Sequence, residues 1–509
     1  MMNRKSQIWS QLSDLAATAH RLSIKELNDG PQRDFEFSVD MEGIHLDFSR
    51  HLINQSILDT LMELARASNI KEKALDMLEG KPVNKTECKS ATHMSMRSGG
   101  SSQNQNEKKQ MFEISEAIRS GDLKSSSHQR FTDAINIGIG GSELGPKMVN
   151  EALKQYASGP KLHFLSNPDG EKIFSLLDSL KAKTTLIILS SKSFVTTETM
   201  TIAKIVSDWL SKELQINDVK SSTHFFAITA NKEKAISEGI PERQILTMDE
   251  SIGGRYSIWS SVGFPTCISV GTKRFEEFIA GGKMMDDHFL GSEYQNNMPV
   301  LLALIGIWYN NFLGSQSYAV VPYLERLSPL IDFIQQLEME SNGKSISLDG
   351  LPVDITTAPV VWGRAGTSSQ HSFFQLLHQG KKMVPVDFIG VKNDALSHKE
   401  LHRLLLTSLA GQAEALANGQ HDKNAHLSNS GNKPSSILLI DELTPFNLGK
   451  LVALYENKTF SQSVIWNINP FDQWGVELGK RITKEIFSGG KLKNRSGKIL
   501  IKKMGLGNS

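Results

Sequence analysis

The sequence predicts an α/β protein, with parallel sheets covered by helices and two such units following a helix-rich start. Three observations predict it. Short apolar runs rich in β-branched residues alternate with longer stretches that can be helical. The first hundred residues differ: SILDTLMELARAS, from Ser56, repeats apolar residues at helical spacing. Two of the apolar runs end in glycines or hydroxyl clusters, the residues that close a strand and open a helix.

The elements follow in order. After the helical start comes a polar stretch, SGGSSQNQNEKKQ from Ser98, read as a loop or boundary. AINIGIGG, KLHFLS, TTLIILS, THFFAIT and RQILTM then read as strands, giving one α/β unit over roughly 110–275. From Asn297 the chain is helical through PVLLALIGIWYNNFL. YAVVPY, APVVWG, MVPVDFIG, SILLIDEL and SVIWNIN are the strand candidates of a second unit over about 300–490. The breaker-rich NGQHDKNAHLSNSGNKPS, from Asn418, is a surface loop.

Composition narrows the function. Over 509 residues, 56 basic and 55 acidic side chains leave a net charge of +1, so no nucleic-acid or membrane surface is expected and an anionic ligand needs a local pocket. Two cysteines, Cys88 and Cys267, leave no room for a disulfide framework or a four-thiolate zinc site. The longest apolar run, VLLALIGIW, falls well short of the roughly twenty residues of a membrane span. MMNRKSQIWSQLSDL does not read as a signal peptide, so a cytoplasmic location is expected.

Several stretches could carry chemistry. INIGIGGSELGPKMV has Gly138 and Gly140 but Glu143 where a dinucleotide loop needs its third glycine, and Pro146 where a Walker loop needs lysine. What remains is a strand, a glycine turn and Ser142 at a helix start, which suits an anion and equally suits a capped turn. TTLIILSSKSFVTTETMT places Ser190, Ser191, Lys192, Ser193, Thr196 and Thr197 after a second strand. Ligands of parallel sheets sit beyond the carboxyl ends of strands, so both junctions together point to a phosphate monoester. In SIGGRYSIWSSVGFP two glycines precede Arg255. EMESNGKS holds Glu338 and Glu340, one of them a candidate general base. QHSFFQLLHQG holds His371 and His378, suited to proton transfer. HKELH spaces His398 and His402 as zinc ligands, but Lys399 fills the place of a metalloprotease's glutamate and no third ligand is evident. Lys480 falls on an amphipathic helix in FDQWGVELGKRI.

Taken in order along the chain, NIGIGGSELGP, SSKSFVTTET, GGRYSIWSSVG, MESNGK, QHSFFQLLHQG, LTPFNLGKLVALYE and FDQWGVELGK resemble the glucose-6-phosphate isomerase (phosphoglucose isomerase) family. The resemblance implies a helix-rich region over 1–109, a smaller sugar-isomerase-type (SIS-like) αβα sandwich domain over 110–280 and a larger one over 281–509. It implies reversible conversion of glucose 6-phosphate and fructose 6-phosphate, as in glycolysis and gluconeogenesis, with no cofactor and no metal. It makes Glu340 the base that moves a proton between C1 and C2, and Arg255 the stabiliser of the enediolate. His371 assists ring opening, with Lys480 close to the ring oxygen. Gly141 and Ser142 line the substrate pocket, Ser191, Lys192, Ser193 and Thr196 form the phosphate loop, and Gln336 contacts substrate. It also implies a homodimer in which His371 reaches the pocket from the partner subunit.

The chain departs from the family's pattern at GRAGTSSQH, where Arg364 replaces an acid and Ser369 a glycine, and at Lys89 and Ser193, which stand for arginine and threonine. Two other classes compete: a sugar-phosphate sensor that binds without catalysis, and a nicotinamide-dependent dehydrogenase, suggested only by the glycine turn.

Overall fold

The computed structural model describes residues 4–490, 492 and 494–506. The helix-rich start contributes two strands, β1 (Ser38–Met41) and β2 (Ile44–Asp47), joined by a tight turn in which Gly43 has φ +75°. They alternate inward and outward side chains, the pattern of a half-buried hairpin. Sequence reading misses them because each is only four residues long.

The next five apolar runs are strands as expected: β3 (Asp133–Ile137), β4 (Lys161–Leu165), β5 (Thr185–Ser190), β6 (Phe225–Thr229) and β7 (Ile245–Thr247). They form one all-parallel sheet in the order β4–β3–β5–β6–β7. Ile135, Ile187 and Phe225 on the sheet pack against Ile202, Val206 and Leu210 of the helix Thr197–Leu214. From β3 the chain goes first to one side and then returns to the other, so the strand order reverses beside β3. The carboxyl ends of β3 and β5 therefore flank a crevice where such sheets bind ligands.

A second sheet adds β8 (Ser317–Pro322), β9 (Val360–Gly363), β10 (Val386–Asn393) and β11 (Ser435–Glu442) to the hairpin, in the order β1–β2–β11–β10–β8–β9. β8 to β11 pair in parallel, and β2 joins β11 antiparallel. So the N-terminal region closes the edge of the second sheet.

SVIWNIN is not a strand. Its first residues end the helix Pro445–Trp466, and Asn467 stops that helix in a left-handed conformation. The helix is buried along nearly its whole length against Thr272–Gly291 and Met298–Ile307. An apolar run inside a helix buried on all sides carries no periodicity to separate it from a buried strand. The helix also brings charges into the interior, where they persist only when paired. Glu456 accepts from Arg97, which also bonds Asp286 at 2.6 and 2.7 Å, and Lys458 bonds Glu338 at 2.6 Å.

By contacts the chain divides into Met1–Pro470, which holds both sheets, and Phe471–Ser509. Among the described residues the second unit has two helices, Trp474–Phe487 and Arg495–Lys503, with Trp474, Leu478, Phe487 and Leu500 exposed. Among the described residues no helix is long and apolar enough to cross a membrane.

Candidate active site

The turn after β3 is built for close approach. Gly140 has φ +60° and caps the helix Gly141–Ala152, so Ser142 lies inside the first turn and is not the cap. A Cβ on Gly141 would stand 2.0 Å from the carbonyl oxygen of Gly254, so only glycine lets this turn touch the loop that carries Arg255. Buried Asn136 on β3 donates to the Ser142 carbonyl at 3.0 Å and steadies the turn. The Ser142 hydroxyl has no hydrogen-bond partner among the described residues.

After β5 the chain makes a second tight turn. Phe194, a bulky residue, is held left-handed at φ +57° and is buried. Its N–H donates to Ser191 Oγ at 3.1 Å. Such strain persists where packing imposes it, commonly at ligand sites. Thr196 caps the helix Thr197–Leu214 without a side-chain cap bond. The hydroxyls of Ser193, Thr196 and Thr197 are uncommitted among the described residues. Two helix starts and four free hydroxyls thus border one crevice, a set of neutral donors suited to an oxyanion. The Lys192 ammonium is turned elsewhere. It donates to the carbonyls of Glu250 and Ile252 at 2.7 and 2.8 Å, and burial lowers its pKa.

Arg255 is buried on the short turn Gly254–Trp259. Its Nε donates to Ser341 Oγ at 2.6 Å, Nη1 to Glu340 Oε2 at 3.2 Å, and Nη2 to the Pro470 carbonyl. The Tyr256 hydroxyl shares Ser341 Oγ at 2.9 Å, and His93 stacks on the Tyr256 ring. Burial, with Arg97 and Arg255 nearby, holds His93 well below its ordinary pKa, so it is a neutral support.

Glu340 ends a π-helical turn, Gln336–Glu340, that continues the helix Pro329–Gln335. The wider turn re-aims successive side chains, a device frequent at functional sites. Glu338 points inward to Lys458, and Glu340 lies half-buried with Oε2 accepting from Gln336 Nε2 at 3.1 Å as well as from Arg255. Gln336 also borders the glycine turn: a Cβ on Gly140 would lie 3.0 Å from its Nε2. Its Oε1 is buried without a partner among the described residues. The structure therefore brings Gly141, Ser142, Ser191, Lys192, Ser193, Thr196, Arg255, Gln336 and Glu340 to three neighbouring loops and one π-turn.

His371 lies outside this group, and Lys480 belongs to the C-terminal unit. His371 follows the short helix Gly366–Gln370, exposed, with no hydrogen-bond partner among the described residues. Lys480 lies on Trp474–Phe487 in the C-terminal unit and pairs with Glu477 at 2.8 Å. Ser369, where the family has glycine, does not adopt positive φ; its buried hydroxyl donates to the Gly366 carbonyl inside the helical turn. Lys89 pairs with Glu250 at 3.1 Å. His402 bonds the Lys392 carbonyl at 3.0 Å through one ring nitrogen. Sequence reading missed Asn136, Ser341 and Lys458; none carries a local signal, because each acts through a residue distant in sequence or inside the core.

The fold and site define a class: an α/β protein whose strand ends offer an oxyanion cradle beside a carboxylate–arginine pair. The profile of the phosphoglucose isomerase family matches residues 47–498. The chain is 44% identical over 471 residues to glucose-6-phosphate isomerase 1 of Chromohalobacter salexigens, covering 90% of this chain and 86% of that one. It is 40% identical over 515 residues to the glucose-6-phosphate isomerase of Ectopseudomonas mendocina, covering 94% and 92%. The crystal structure of a glucose-6-phosphate isomerase from Chlamydia trachomatis superposes with a TM-score of 0.87 at 28% identity, covering 98% of each chain. The chain belongs to the phosphoglucose isomerase family.

Proposed function

We propose that this chain interconverts glucose 6-phosphate and fructose 6-phosphate, a step shared by glycolysis and gluconeogenesis. The observation that carries the reading is the Glu340 carboxylate, held by Gln336 and Arg255 next to a cradle of free hydroxyls and helix starts.

The phosphate does no chemistry. Held by Ser142, Ser193, Thr196 and the surrounding N–H groups, it fixes the reacting carbons against the base. In the open-chain aldose the C2 proton is acidic because it adjoins the C1 carbonyl. Glu340 takes that proton and negative charge develops on O1; the same carboxyl then returns the proton to C1 while the proton of the O2 hydroxyl passes to O1, leaving a hydroxyl at C1 and the ketone at C2. Arg255 is anchored at three points before the charge appears, so it stabilises the enediolate with little reorganisation. Gln336 holds the carboxylate through its Nε2 donor and keeps its buried Oε1 for a substrate hydroxyl.

Ring opening needs a proton moved from the anomeric hydroxyl to the ring oxygen. The resemblance assigns His371 and Lys480 to that step. The exposure of His371 accords with a partner subunit receiving it, so we infer a homodimer as the working form. The near-neutral charge and the lack of a membrane-spanning helix among the described residues fit a cytoplasmic enzyme.

An assay coupled to oxidation of glucose 6-phosphate tests the reading. Glu340→Gln is expected to lose about 10²–10⁴-fold in kcat while still binding inorganic phosphate. Full turnover by that variant would remove the base. Binding of fructose 6-phosphate without interconversion by the wild type would make the protein a sensor.

A further inference from the structure

Lys192 stands in the middle of the phosphate loop, where a cation beside an anion is the obvious reading. Its atoms do otherwise. The ammonium crosses to the next loop and takes the Glu250 and Ile252 carbonyls at 2.7 and 2.8 Å, committing two of its three donors three residues before Arg255. Its backbone is fixed as well. The Lys192 carbonyl accepts from the Ala230 N–H and the Thr229 hydroxyl, each at 3.1 Å, at the end of β6. The receiving loop is firm on its far side. Asp249 Oδ1 accepts from the Ser251 N–H and hydroxyl at 2.8 and 2.7 Å, and Asn104 donates to Asp249 Oδ2 at 3.3 Å.

We propose that Lys192 is a positioning residue whose ammonium straps the phosphate loop to the arginine loop, setting the spacing between the bound phosphate and Arg255. The inference rests on the reading of the two helix starts as the phosphate cradle. Carbonyl oxygens are good partners for a partly buried ammonium, and releasing both to follow an anion would leave two acceptors without their charge-assisted donor. Burial is the largest influence on the amine and disfavours its charge; Lys89 adds to that effect, while Glu87, Glu250 and Asp249 oppose it. The phosphate is then held by neutral donors alone: hydroxyls of Ser142, Ser193 and Thr196, and N–H groups at helix starts. The strap matters to the chemistry because the phosphate fixes one end of the substrate and Arg255 meets the other. A small change in loop spacing misplaces the enediolate oxygens with no loss of phosphate affinity.

The experiment measures kcat and the competitive inhibition constant of inorganic phosphate for the wild type, Lys192→Met, Arg255→Lys and the double variant. The strap predicts a kcat loss of about ten-fold or more in Lys192→Met with the phosphate constant moved less than about three-fold. It also predicts that Lys192→Met costs little further in the Arg255→Lys background, since both changes act on the same contact. A phosphate constant raised about ten-fold with kcat retained would make Lys192 a direct ligand and overturn the proposal. Fully additive effects on kcat would overturn it too. Absence of phosphate inhibition in the wild type would refute the cradle itself, a separate failure. If Lys192→Met does not fold, acetylation of wild-type Lys192, followed by mass spectrometry, decides. Slow labelling unchanged by saturating inorganic phosphate supports the strap; fast labelling suppressed by phosphate overturns it.

Discussion

Arg255→Lys separates geometry from charge. The substitution keeps a cation of similar reach, so the field at Glu340 is largely preserved. What it removes is the fork. Arginine meets Ser341, Glu340 and the Pro470 carbonyl with three different nitrogens, at 2.6 Å and 3.2 Å for the first two. A lysine Nζ can occupy one of those directions, leaving the other two to water or to none. Ser341 keeps a partner in the Tyr256 hydroxyl at 2.9 Å, so the ground-state turn survives. The enediolate loses at least one preorganised donor, and such a donor is worth about 2.7–4 kcal/mol, or about 10²–10³ in kcat. The coupled assay in the direction of glucose 6-phosphate formation reads the loss. KM is expected to move by less than about three-fold, because the phosphate supplies most of the binding. Thermal unfolding run in parallel checks that the loop is intact. A variant with kcat within about three-fold of the wild type would refute the role, since it would show that the fork contributes no selective transition-state stabilisation.

Three further outcomes follow from the same geometry. Gly141→Ala puts a methyl group 2.0 Å from the Gly254 carbonyl oxygen and must push the arginine loop aside, so kcat is expected to fall about 10²-fold in the coupled assay, with a loss of stability of about 1–3 kcal/mol. If each site draws His371 from the other subunit, separately inactive Glu340→Gln and His371→Ala proteins, mixed and refolded together, should regain about a quarter of wild-type activity; none regained would place His371 in its own subunit's site or nowhere. His51 is buried, bonded to Tyr309 and Ser436, and burial lowers its pKa from 6.5 to about 3. It is neutral when folded but takes a proton when unfolded below about 6.5. Its contribution is therefore full above that value and is lost as pH falls toward about 3, at up to about 1.4 kcal/mol per pH unit. Denaturant titrations should show that slope diminished in His51→Gln, and an unchanged slope would remove the assignment.

What the sequence disclosed is what local chemistry encodes. β3 and β5 announce themselves by apolar β-branched runs, and their glycine and hydroxyl endings specify where helices begin. The cradle was therefore legible from two short stretches. Arg255 and Glu340 were legible as residue types at glycine-flanked turns, but not as a pair. The chain supplies them 85 positions apart, and nothing local links them. The assignments of His371 and Lys480 came from resemblance, since an exposed histidine and a lysine on an amphipathic helix carry no signal of their own.

The π-turn shows where reading by period must fail. Glu338 and Glu340 sit two apart, a spacing that on a regular helix would set them roughly 200° apart and tell nothing about which faces a ligand. The choice is made from inside the core. Lys458, on a helix buried along nearly its whole length, takes the buried Glu338 at 2.6 Å, while Asp387, a second buried carboxyl beside it, is bonded by the Tyr318 and Tyr455 hydroxyls. An unpaired buried ammonium costs several kcal/mol, so this pairing is strongly enforced. With Glu338 committed inward, Glu340 stays with Gln336 and Arg255. The proposed base is thus selected by a lysine 118 residues away, on a segment whose apolar end reads as a strand.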